Sequence, residues 1–268
     1  MDKAEAMPAD PVITWFRDHP PRPADESDGD SAVIRTVRRF REMVAGGGAR
    51  PGHHLREREL AEALGVSRNT LREAFRLLAH EELVVHRLNR GVFIRRITAG
   101  DIADIFRVRR LVELDAVRRA NGAPRVLITP LTDILDDADR AVADRRWTDV
   151  ATADIRWHQA ITQLTGSRRL QETMTRVLAE LRLAFAAYGS STEQERFHRP
   201  YLAWNRQITE LILVGDTEAA ETALAAYLAR AERQLLAAYR TAAPGTLSAE
   251  PSPGAPSVEQ FLSPAPEW

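Results

Sequence analysis

The chain has no cysteine, one lysine (Lys3) and few aromatic side chains among its 268 residues. Without cysteine, neither a disulfide framework nor a thiolate metal site is possible. No apolar run approaches the roughly 20 residues that a membrane-spanning helix requires, and the acidic start does not resemble a signal peptide. The composition therefore predicts a cytoplasmic protein with no membrane partner, long enough for one small and one medium domain.

The net charge of −1 conceals a segregation of charge along the chain. Residues 31 to 97 hold 14 arginines and seven acidic residues, a net charge of +7, whereas residues 1 to 30 have a net charge of −5. A cationic surface confined to one segment is typical of a domain that binds DNA. Residues 1 to 30 and 244 to 268 are rich in proline and poor in periodic apolar residues, which predicts a disordered tail at each end.

Two short helices joined by a tight turn are predicted around Gly65. Apolar residues recur every three to four positions on both sides of this glycine, which gives each helix one buried face. Gly65 can adopt the positive φ that ends a helix, and Ser67 is a favourable N-cap for the next one. The residues exposed at the start of that second helix are Arg68, Asn69, Thr70 and Arg72. The pattern predicts a helix-turn-helix that reads the major groove, and an ordinary amphipathic helix pair with a solvated arginine face is the alternative.

A β-hairpin is predicted after this helix pair, because two β-rich runs flank the turn Asn89-Arg90-Gly91. Upstream, the apolar spacing predicts one further helix over Ala32 to Ala45. Three helices followed by a hairpin make a winged helix. In that fold Arg90 would enter an adjacent minor groove, and Gly91 would permit close approach of the backbone.

Residues 98 to 243 follow a helical pattern almost throughout. The predicted helices span Asp101 to Ala120 and about residues 130 to 143, 147 to 164, 167 to 188, 194 to 214 and 216 to 240. Short connections and the lack of strand signals predict an all-helical antiparallel bundle, a fold that commonly holds ligands between facing helices. The chain is thus predicted to be mainly α, with an N-terminal winged helix-turn-helix followed by this bundle.

Separate matches over residues 31 to 97 carry a resemblance to a known family. They include Pro51-Gly52, Glu59-Leu60-Ala61, Leu64-Gly65-Val66-Ser67-Arg68, Leu71-Arg72-Glu73-Ala74 and Gly91-Val92-Phe93. This segment resembles the DNA-binding domain of GntR-type transcriptional regulators. The resemblance implies that Arg58 holds a phosphate and that Arg90 with Gly91 forms the wing contact. It also implies that most base and backbone contacts to a double-stranded operator come from Ser67, Arg68, Asn69, Thr70 and Arg72.

Residues 99 to 240 carry a second, looser resemblance. Its residues are Asp104-Ile105-Phe106-Arg107-Val108-Arg109 with Glu113, Asp154 with His158, and Ile208, Ile212, Gly215-Asp216 and Ala219-Ala220. This half resembles the all-helical FCD-type ligand-binding domain of the FadR branch of GntR regulators. The resemblance implies a homodimer whose helical domain binds a small-molecule effector.

Asp154 and His158 lie one helical turn apart, so their side chains point the same way, as two ligands of one metal ion must. Family members that bind a metal here add two histidines, but this chain has Asn205 and Tyr227 at those positions. The set would make a poor Zn²⁺ site. His198, two turns before Asn205, is an alternative ligand, but Pro200 indicates that it precedes the helix. An Asp–His hydrogen bond inside the bundle, or a polar floor for an organic effector, are the other interpretations.

Arg109 and Glu113 also lie one turn apart. The simplest interpretation is a surface ion pair worth a few tenths of a kcal/mol. The resemblance instead places Arg109 in the effector pocket, where a fixed guanidinium would suit a carboxylate.

Three functions are compatible with these patterns. The leading hypothesis is a homodimeric transcriptional regulator, a repressor by expectation, whose operator binding responds to an effector in the helical domain. The second is a DNA-binding protein whose bundle only dimerises or binds a protein partner. The third is a metalloenzyme that uses Asp154 and His158, although nothing else in the sequence resembles a nucleophile beside a base, so a non-enzyme is predicted.

Overall fold

The computed structural model describes residues 10–21 and 30–241. The N-terminal part, called the head below, contains α1 (Pro11–Asp18), α2 (Ala32–Ala45), β1 (His54–Leu55), α3 (Glu57–Leu64), α4 (Arg68–His80), β2 (Val84–Arg87) and β3 (Gly91–Ile94). The second part, called the bundle, contains α5 (Ala99–Arg118), α6 (Arg125–Ala143), α7 (Trp147–Gln163), α8 (Arg168–Ala184), α9 (Ser191–Leu213) and α10 (Thr217–Thr241). The predicted fold class, a winged helix-turn-helix followed by a helical bundle, is confirmed.

The helix-turn-helix forms as its residues predict. Gly65 ends α3 in the left-handed conformation with φ 65°, which costs glycine little because it has no Cβ. Ser67 caps α4 by accepting a hydrogen bond from the backbone N–H of Thr70 at 3.0 Å. Leu71 and Phe75 of α4 are fully buried in the head core. The first helix of the head has the predicted bounds, Ala32–Ala45.

The wing is a hairpin within a three-stranded antiparallel sheet of order β1-β3-β2. Val84 pairs with Ile94 at one end, and Arg87 pairs with Gly91 at the tip. Asn89 has a positive φ of 57° in the turn. The sequence did not predict β1, because two residues are too few to show an alternating pattern; it is held by pairing with the outer edge of β3.

The predicted disorder of residues 1 to 30 is wrong for Pro11–Asp18, which forms α1. Its apolar residues Val12, Ile13 and Phe16 are buried. Proline density suggested a tail, but a proline at the first helical position does not break a helix, and Asp10 caps this one by accepting from the Val12 N–H at 2.9 Å. The remainder of the predicted tails, residues 1–9, 22–29 and 244–268, lies outside the described residues.

A row of three aromatic rings connects α1 to the head core. The Phe16 ring lies 5.1 Å from that of Phe40 on α2, and Phe40 lies 5.4 Å from Phe75 on α4, both pairs edge to face. The helix α1 therefore extends the core of the head rather than resting on its surface.

The bundle differs from prediction mainly at its prolines. Helix α6 begins at Arg125 and runs through Pro130, and α9 begins at Ser191 and runs through Pro200. A capping box secures the start of α9, because Ser190 and Glu193 each accept a hydrogen bond from the backbone N–H of the other. Pro200 lies on the exposed side of α9, so water can reach the carbonyl that its missing N–H leaves free.

The head meets the bundle at the end of α2. The carbonyl oxygen of Ala45 accepts hydrogen bonds from Thr152 Oγ1 of α7 at 2.9 Å and from Arg182 Nε of α8 at 3.1 Å. Arg182 is buried, and its Nη2 also reaches the carbonyl of Thr148 at 3.4 Å. A carbonyl of the head is thus held directly by the helices that line the interior of the bundle.

Arg95, directly after the wing, forms a second junction. It makes ion pairs with Asp101 and Glu180 at 2.8 Å and with Glu82 at 3.3 Å. Burial raises the pKa of Glu180 to about 7 despite its contact with Arg95, and repulsion from the other two carboxylates adds to the effect. Arg95 therefore forms ion pairs with three neighbouring carboxylate groups where the head joins the bundle.

Within residues 10–21 and 30–241, none of the helices combines the length and apolar character that a bilayer crossing needs.

The docking of α1 predicts that Phe16→Ala destabilises the protein. Removing a buried phenylalanine ring leaves a cavity, and we expect a loss of about 3 kcal/mol in the free energy of unfolding. The adjacent and exposed Arg17 provides the control, because Arg17→Ala should change stability by less than about 0.5 kcal/mol. Urea denaturation of both variants measures this. Equal stabilities would show that α1 does not belong to the core.

Candidate functional site

The predicted DNA-binding residues lie at three places in the head. Arg58 is exposed in the first turn of α3, and Arg90 and Gly91 are exposed at the tip of the wing. The N-terminal end of α4 carries Ser67, Arg68, Asn69 and Arg72, all exposed, and Thr70, which is half-buried. The N–H groups at that end of α4 point outward and favour an anion, so helix and arginines both suit a phosphate-rich partner.

Arg72 is held by a contact that the sequence did not indicate. Its Nε donates to Glu57 Oε2 of α3 at 2.8 Å, and the arginine side chain remains 57% exposed. Exposed ion pairs are worth less than about 1 kcal/mol, so Glu57 orients the guanidinium without preventing other contacts. The pairing of α3 with α4 thus pre-positions a side chain predicted to read bases.

The wing tip presents a residue that the sequence reasoning also missed. Leu88 is 90% exposed, the most exposed large apolar side chain among those described. It stands next to Asn89 and two positions before Arg90. The sequence pattern assigns Leu88 to a β-rich run, so its exposure could not be predicted without the position of the hairpin turn.

A chain of buried polar side chains crosses the bundle. Arg109 Nε of α5 donates to Glu113 Oε1 at 2.7 Å, and His158 Nδ1 of α7 donates to Glu113 Oε2 at 2.7 Å. The Tyr227 hydroxyl of α10 lies 2.9 Å from His158 Nε2 and donates to Asp154 Oδ1 at 2.9 Å. Asn205 Nδ2 of α9 donates to the same Asp154 oxygen at 2.8 Å. The structure therefore brings all five predicted effector residues, Arg109, Asp154, His158, Asn205 and Tyr227, into one connected network, called the polar cluster below.

The surface interpretation of the Arg109–Glu113 pair is wrong, because the two side chains are only 2% and 0% exposed. Burial disfavours the charged carboxylate, but attraction to Arg109 and His158 outweighs it and holds the pKa of Glu113 below its usual value. Arg109 also stacks over the Phe106 ring at 4.9 Å. Its Nη2 is buried without a hydrogen-bond partner, so the N–H groups of that nitrogen are unused.

The expected metal pair, Asp154 and His158, does not fit a metal ion. His158 Nε2 and Asp154 Oδ1, the two atoms that would bind an ion, are 3.8 Å apart. The Tyr227 hydroxyl lies between them, 2.9 Å from each. Burial, then repulsion from Asp154, raises the pKa of Tyr227 well above its usual value, so this phenol stays protonated and remains a donor. The part of the chain that the structure describes holds no group of three or more histidine, cysteine or carboxylate side chains placed for a metal. Tyr227 thus connects Asp154 and His158 by hydrogen bonds.

His198 lies inside α9, not before it as Pro200 had indicated. It is buried between Phe185 and Phe197, with ring centroids 4.9 and 4.8 Å away, and neither ring nitrogen has a hydrogen-bond partner. Asn205 Oδ1 is likewise buried and unpartnered. Burial lowers the pKa of His198 to about 4. Of the two smaller effects, attraction to Asp154 raises this pKa and repulsion from Arg182 lowers it. The imidazole is therefore neutral at physiological pH.

Comparison with known proteins identifies both halves of the chain. A model of the bacterial regulatory proteins of the gntR family matches residues 34–94, and an FCD domain model matches residues 104–230. A crystal structure described as a GntR transcriptional regulator from Rhodococcus sp. RHA1 is 42% identical and superposes with a TM-score of 0.72, covering 79% of this chain and all of its own. The chain belongs to the GntR family of transcriptional regulators. Its head is the GntR domain, and its bundle is an FCD domain.

Two other relatives are more distant. The Nta operon transcriptional regulator of Aminobacter aminovorans is 31% identical over half of this GntR-family chain, and the match spans only 64% of that protein's length. The transcriptional repressor RspR of Escherichia coli K12 is 26% identical over 66% of this chain and 77% of its own. Both are named as regulators, in agreement with the family.

The lowered pKa of His198 predicts an acid-sensitive contribution to stability. Between about pH 6.5 and 4 the unfolded chain binds a proton at this residue that the folded chain does not. The contribution of His198 to the free energy of unfolding is therefore fully present above about pH 6.5 and is lost as the pH falls toward 4. The full effect is up to about 3 kcal/mol. Glu180, whose pKa is raised, contributes the opposite slope, so the comparison must be made between variants rather than from one curve.

We therefore expect the free energy of unfolding of His198→Phe, relative to the natural chain, to rise as the pH falls from 7 to 4. The control is His86→Phe, which removes a solvent-exposed histidine and should not reproduce the trend of His198→Phe. Chemical denaturation at several pH values measures both differences. Parallel curves for His198→Phe would contradict the assignment.

Proposed function

We propose that this GntR-family chain is a homodimeric repressor that binds operator DNA through the N-terminal end of α4 and the wing, and that a small molecule in the FCD domain modulates this binding. The observation that carries the proposal is the exposed cationic edge formed by Arg68, Asn69 and Arg72 on a segment with a net charge of +7. Two heads related by a two-fold axis would read two half-sites of one operator.

The contacts follow from the chemistry of each side chain. Arg68 and Arg72 would bond guanine O6 and N7 in the major groove, and Asn69 would bond adenine. Arg58 would contact a phosphate, and Arg90 would enter the minor groove beside the recognition helix. Phosphate contacts of this kind release counterions, so binding should weaken steeply with salt.

The FCD half supports effector binding through its unused polar atoms. Buried polar groups without a partner are rare in native proteins, yet the polar cluster leaves Arg109 Nη2 and Asn205 Oδ1 unpaired. A guanidinium N–H that is fixed in position suits an oxygen of a carboxylate ligand. An effector would therefore complete hydrogen bonds that the protein alone does not make. The name of the repressor RspR accords with repression as the outcome.

A second function remains supported by a specific observation. Most atoms of the polar cluster already bond to one another, and the cavity beside Asn205 has room for about one water molecule. A bundle that only dimerises, or that binds a protein partner, would have no need of more space. Response to a small molecule distinguishes the two functions.

Substitution of Arg72 tests the recognition helix. Loss of a bidentate contact to guanine costs about 1–3 kcal/mol at one base position, so Arg72→Ala should relax the preference there while other positions keep theirs. Arg107, an exposed arginine on α5 of the bundle, is the control and should leave the selected sequence unchanged when replaced by alanine. Selection of bound duplexes from a random pool measures each preference. An unaltered consensus for Arg72→Ala would mean that this residue does not read bases.

The whole proposal is tested by repeating the selection with the natural chain and then adding metabolites to the selected complex. We expect a two-fold symmetric consensus, a dimer on the duplex by sedimentation, and at least one carboxylate that shifts the dissociation constant by about 5-fold or more. Absence of any sequence preference at moderate salt would refute operator binding. A clear consensus with no response to any small molecule would favour the dimerisation function.

A further inference from the structure

The tip of the wing carries a leucine that the hairpin does not need. A hydrogen bond from the Arg90 N–H to the Arg87 carbonyl at 3.0 Å closes the turn, and Leu88 and Asn89 are its two corner residues. Asn89 supplies the positive φ of 57°. Turn corners are commonly Gly, Pro, Asn, Asp or Ser, so the turn does not explain a leucine at this position. With 90% of its surface exposed, Leu88 also adds almost nothing to the head core.

The position of Leu88 matters more than its exposure, because single exposed apolar side chains are common on protein surfaces. Two other large apolar side chains of the head, Ile34 and Leu77, are 42% and 41% exposed, and both lie on helices. Leu88 instead stands at the end of the hairpin that the proposed function places in the minor groove. It is therefore the first apolar group of the head that a duplex would meet there.

The hairpin below the tip is braced from both neighbouring strands. The Phe93 ring of β3 stacks on His54 of β1 at 4.8 Å, and the Arg87 guanidinium of β2 lies over the same ring at 5.2 Å. His54 also approaches Gly91 so closely that a Cβ there would lie 2.7 Å from its Nε2. These contacts hold the hairpin in one position and keep Arg87 along the sheet. A tip that is already ordered loses little conformational freedom when it enters a groove.

The surroundings of Leu88 indicate the class of its partner. Asn89 and Arg90 beside it are exposed, and Arg87 on its other side is half-buried. Protein interfaces bury a continuous apolar patch with few charges at its centre, and one leucine between two arginines does not provide such a patch. A DNA minor groove has the complementary arrangement, because the phosphates along both edges attract cations, whereas the stacked bases between them are largely apolar.

The chemistry of leucine restricts the contact further. The side chain has neither a donor nor an acceptor, so it cannot bond a phosphate or a base edge. Apolar side chains in a minor groove instead insert between neighbouring base pairs, which partly unstacks them and kinks the duplex toward the major groove. Steps in which a pyrimidine precedes a purine unstack most readily.

We propose that Leu88 is a wedge that enters the minor groove beside Arg90, partly separates two stacked base pairs and bends the operator toward the major groove. The contact favours a pyrimidine–purine step where the wing lies, and this preference needs no hydrogen bond to a base. The inference rests on the proposed function, since it takes the wing to lie in the minor groove of an operator.

The test uses the full-length chain and a duplex selected from the random pool. Hydroxyl-radical footprinting first locates the minor-groove segment that the wing covers. The adenine analogue 2-aminopurine, whose fluorescence rises when it is unstacked, then replaces the adenines of that segment one at a time. We expect the natural chain to raise the fluorescence at one pyrimidine–purine step. Energy transfer between dyes at the two ends should show a bend of about 20° or more.

Variants separate the wedge from the other contacts to DNA. Leu88→Ala removes most of the side chain and Leu88→Asn makes it polar at a similar size, so both should abolish the fluorescence rise and reduce the bend. Leu88→Met keeps an apolar side chain and should retain both signals. The control Leu111→Ala, which removes an exposed leucine from α5, should also retain them. Urea denaturation should give equal stabilities for the Leu88 variants, because the residue is exposed.

Salt dependence provides a second readout. Leu88 neutralises no phosphate, so Leu88→Ala should leave the slope of log K against log salt unchanged while it lowers the affinity. Arg58→Ala, which removes an expected phosphate contact, should reduce that slope by about 1.

The outcomes distinguish this inference from the function on which it rests. A duplex that is bound with a clear consensus but is neither unstacked nor bent would overturn the wedge and leave operator binding in place. The same conclusion would follow if the fluorescence rise survived both Leu88→Ala and Leu88→Asn. Loss of dimerisation by Leu88→Ala, measured by sedimentation without DNA, would assign the leucine to a protein contact and also overturn the wedge. A natural chain that prefers no duplex would refute operator binding and the wedge together.

Discussion

The buried ion pair between Arg109 and Glu113 is the constraint around which the bundle is organised. Two charges without solvent are stable there only because they contact each other at 2.7 Å and because His158 donates a further hydrogen bond to the carboxylate. Removing one member of such a pair typically costs 3–5 kcal/mol, since the other charge is left uncompensated. The helices that carry these side chains must therefore keep their relative positions. Further hydrogen bonds connect His158 through Tyr227 to Asp154, and Asp154 to Asn205.

The same network connects the interior of the FCD domain to the head. Helix α7 carries Asp154 and His158 in the polar cluster and Thr152 at the junction, where Thr152 and Arg182 both bond the Ala45 carbonyl. A change in the position of α7 would therefore displace the end of α2, and α2 packs against α4. This is a contiguous chain of packed and hydrogen-bonded groups, the kind of connection through which a ligand can bias the position of a DNA-binding head.

Local rules predicted the head well and the polar cluster less well. Gly65, Ser67 and the apolar spacing of α4 act within a few residues, so the helix-turn-helix and its exposed arginines could be predicted from local patterns. Side-chain networks depend on which helices face each other, and no local pattern carries that information. The sequence placed Asp154 and His158 on one face correctly. It did not reveal that Tyr227 lies between them, or that His198 is buried inside a helix that continues through Pro200. The docking of α1 was missed for a similar reason, because composition outweighed a short apolar run.

Sequence-specific DNA binding by this protein depends most on the N-terminal end of α4. A crystal structure of the full-length chain bound to a duplex selected from the random pool tests it most directly. We expect the guanidinium groups of Arg68 and Arg72 to lie within about 3.2 Å of base edges in the major groove, with Arg90 in the adjacent minor groove. A complex in which these side chains contact only phosphates, or in which the duplex lies against the bundle, would contradict it.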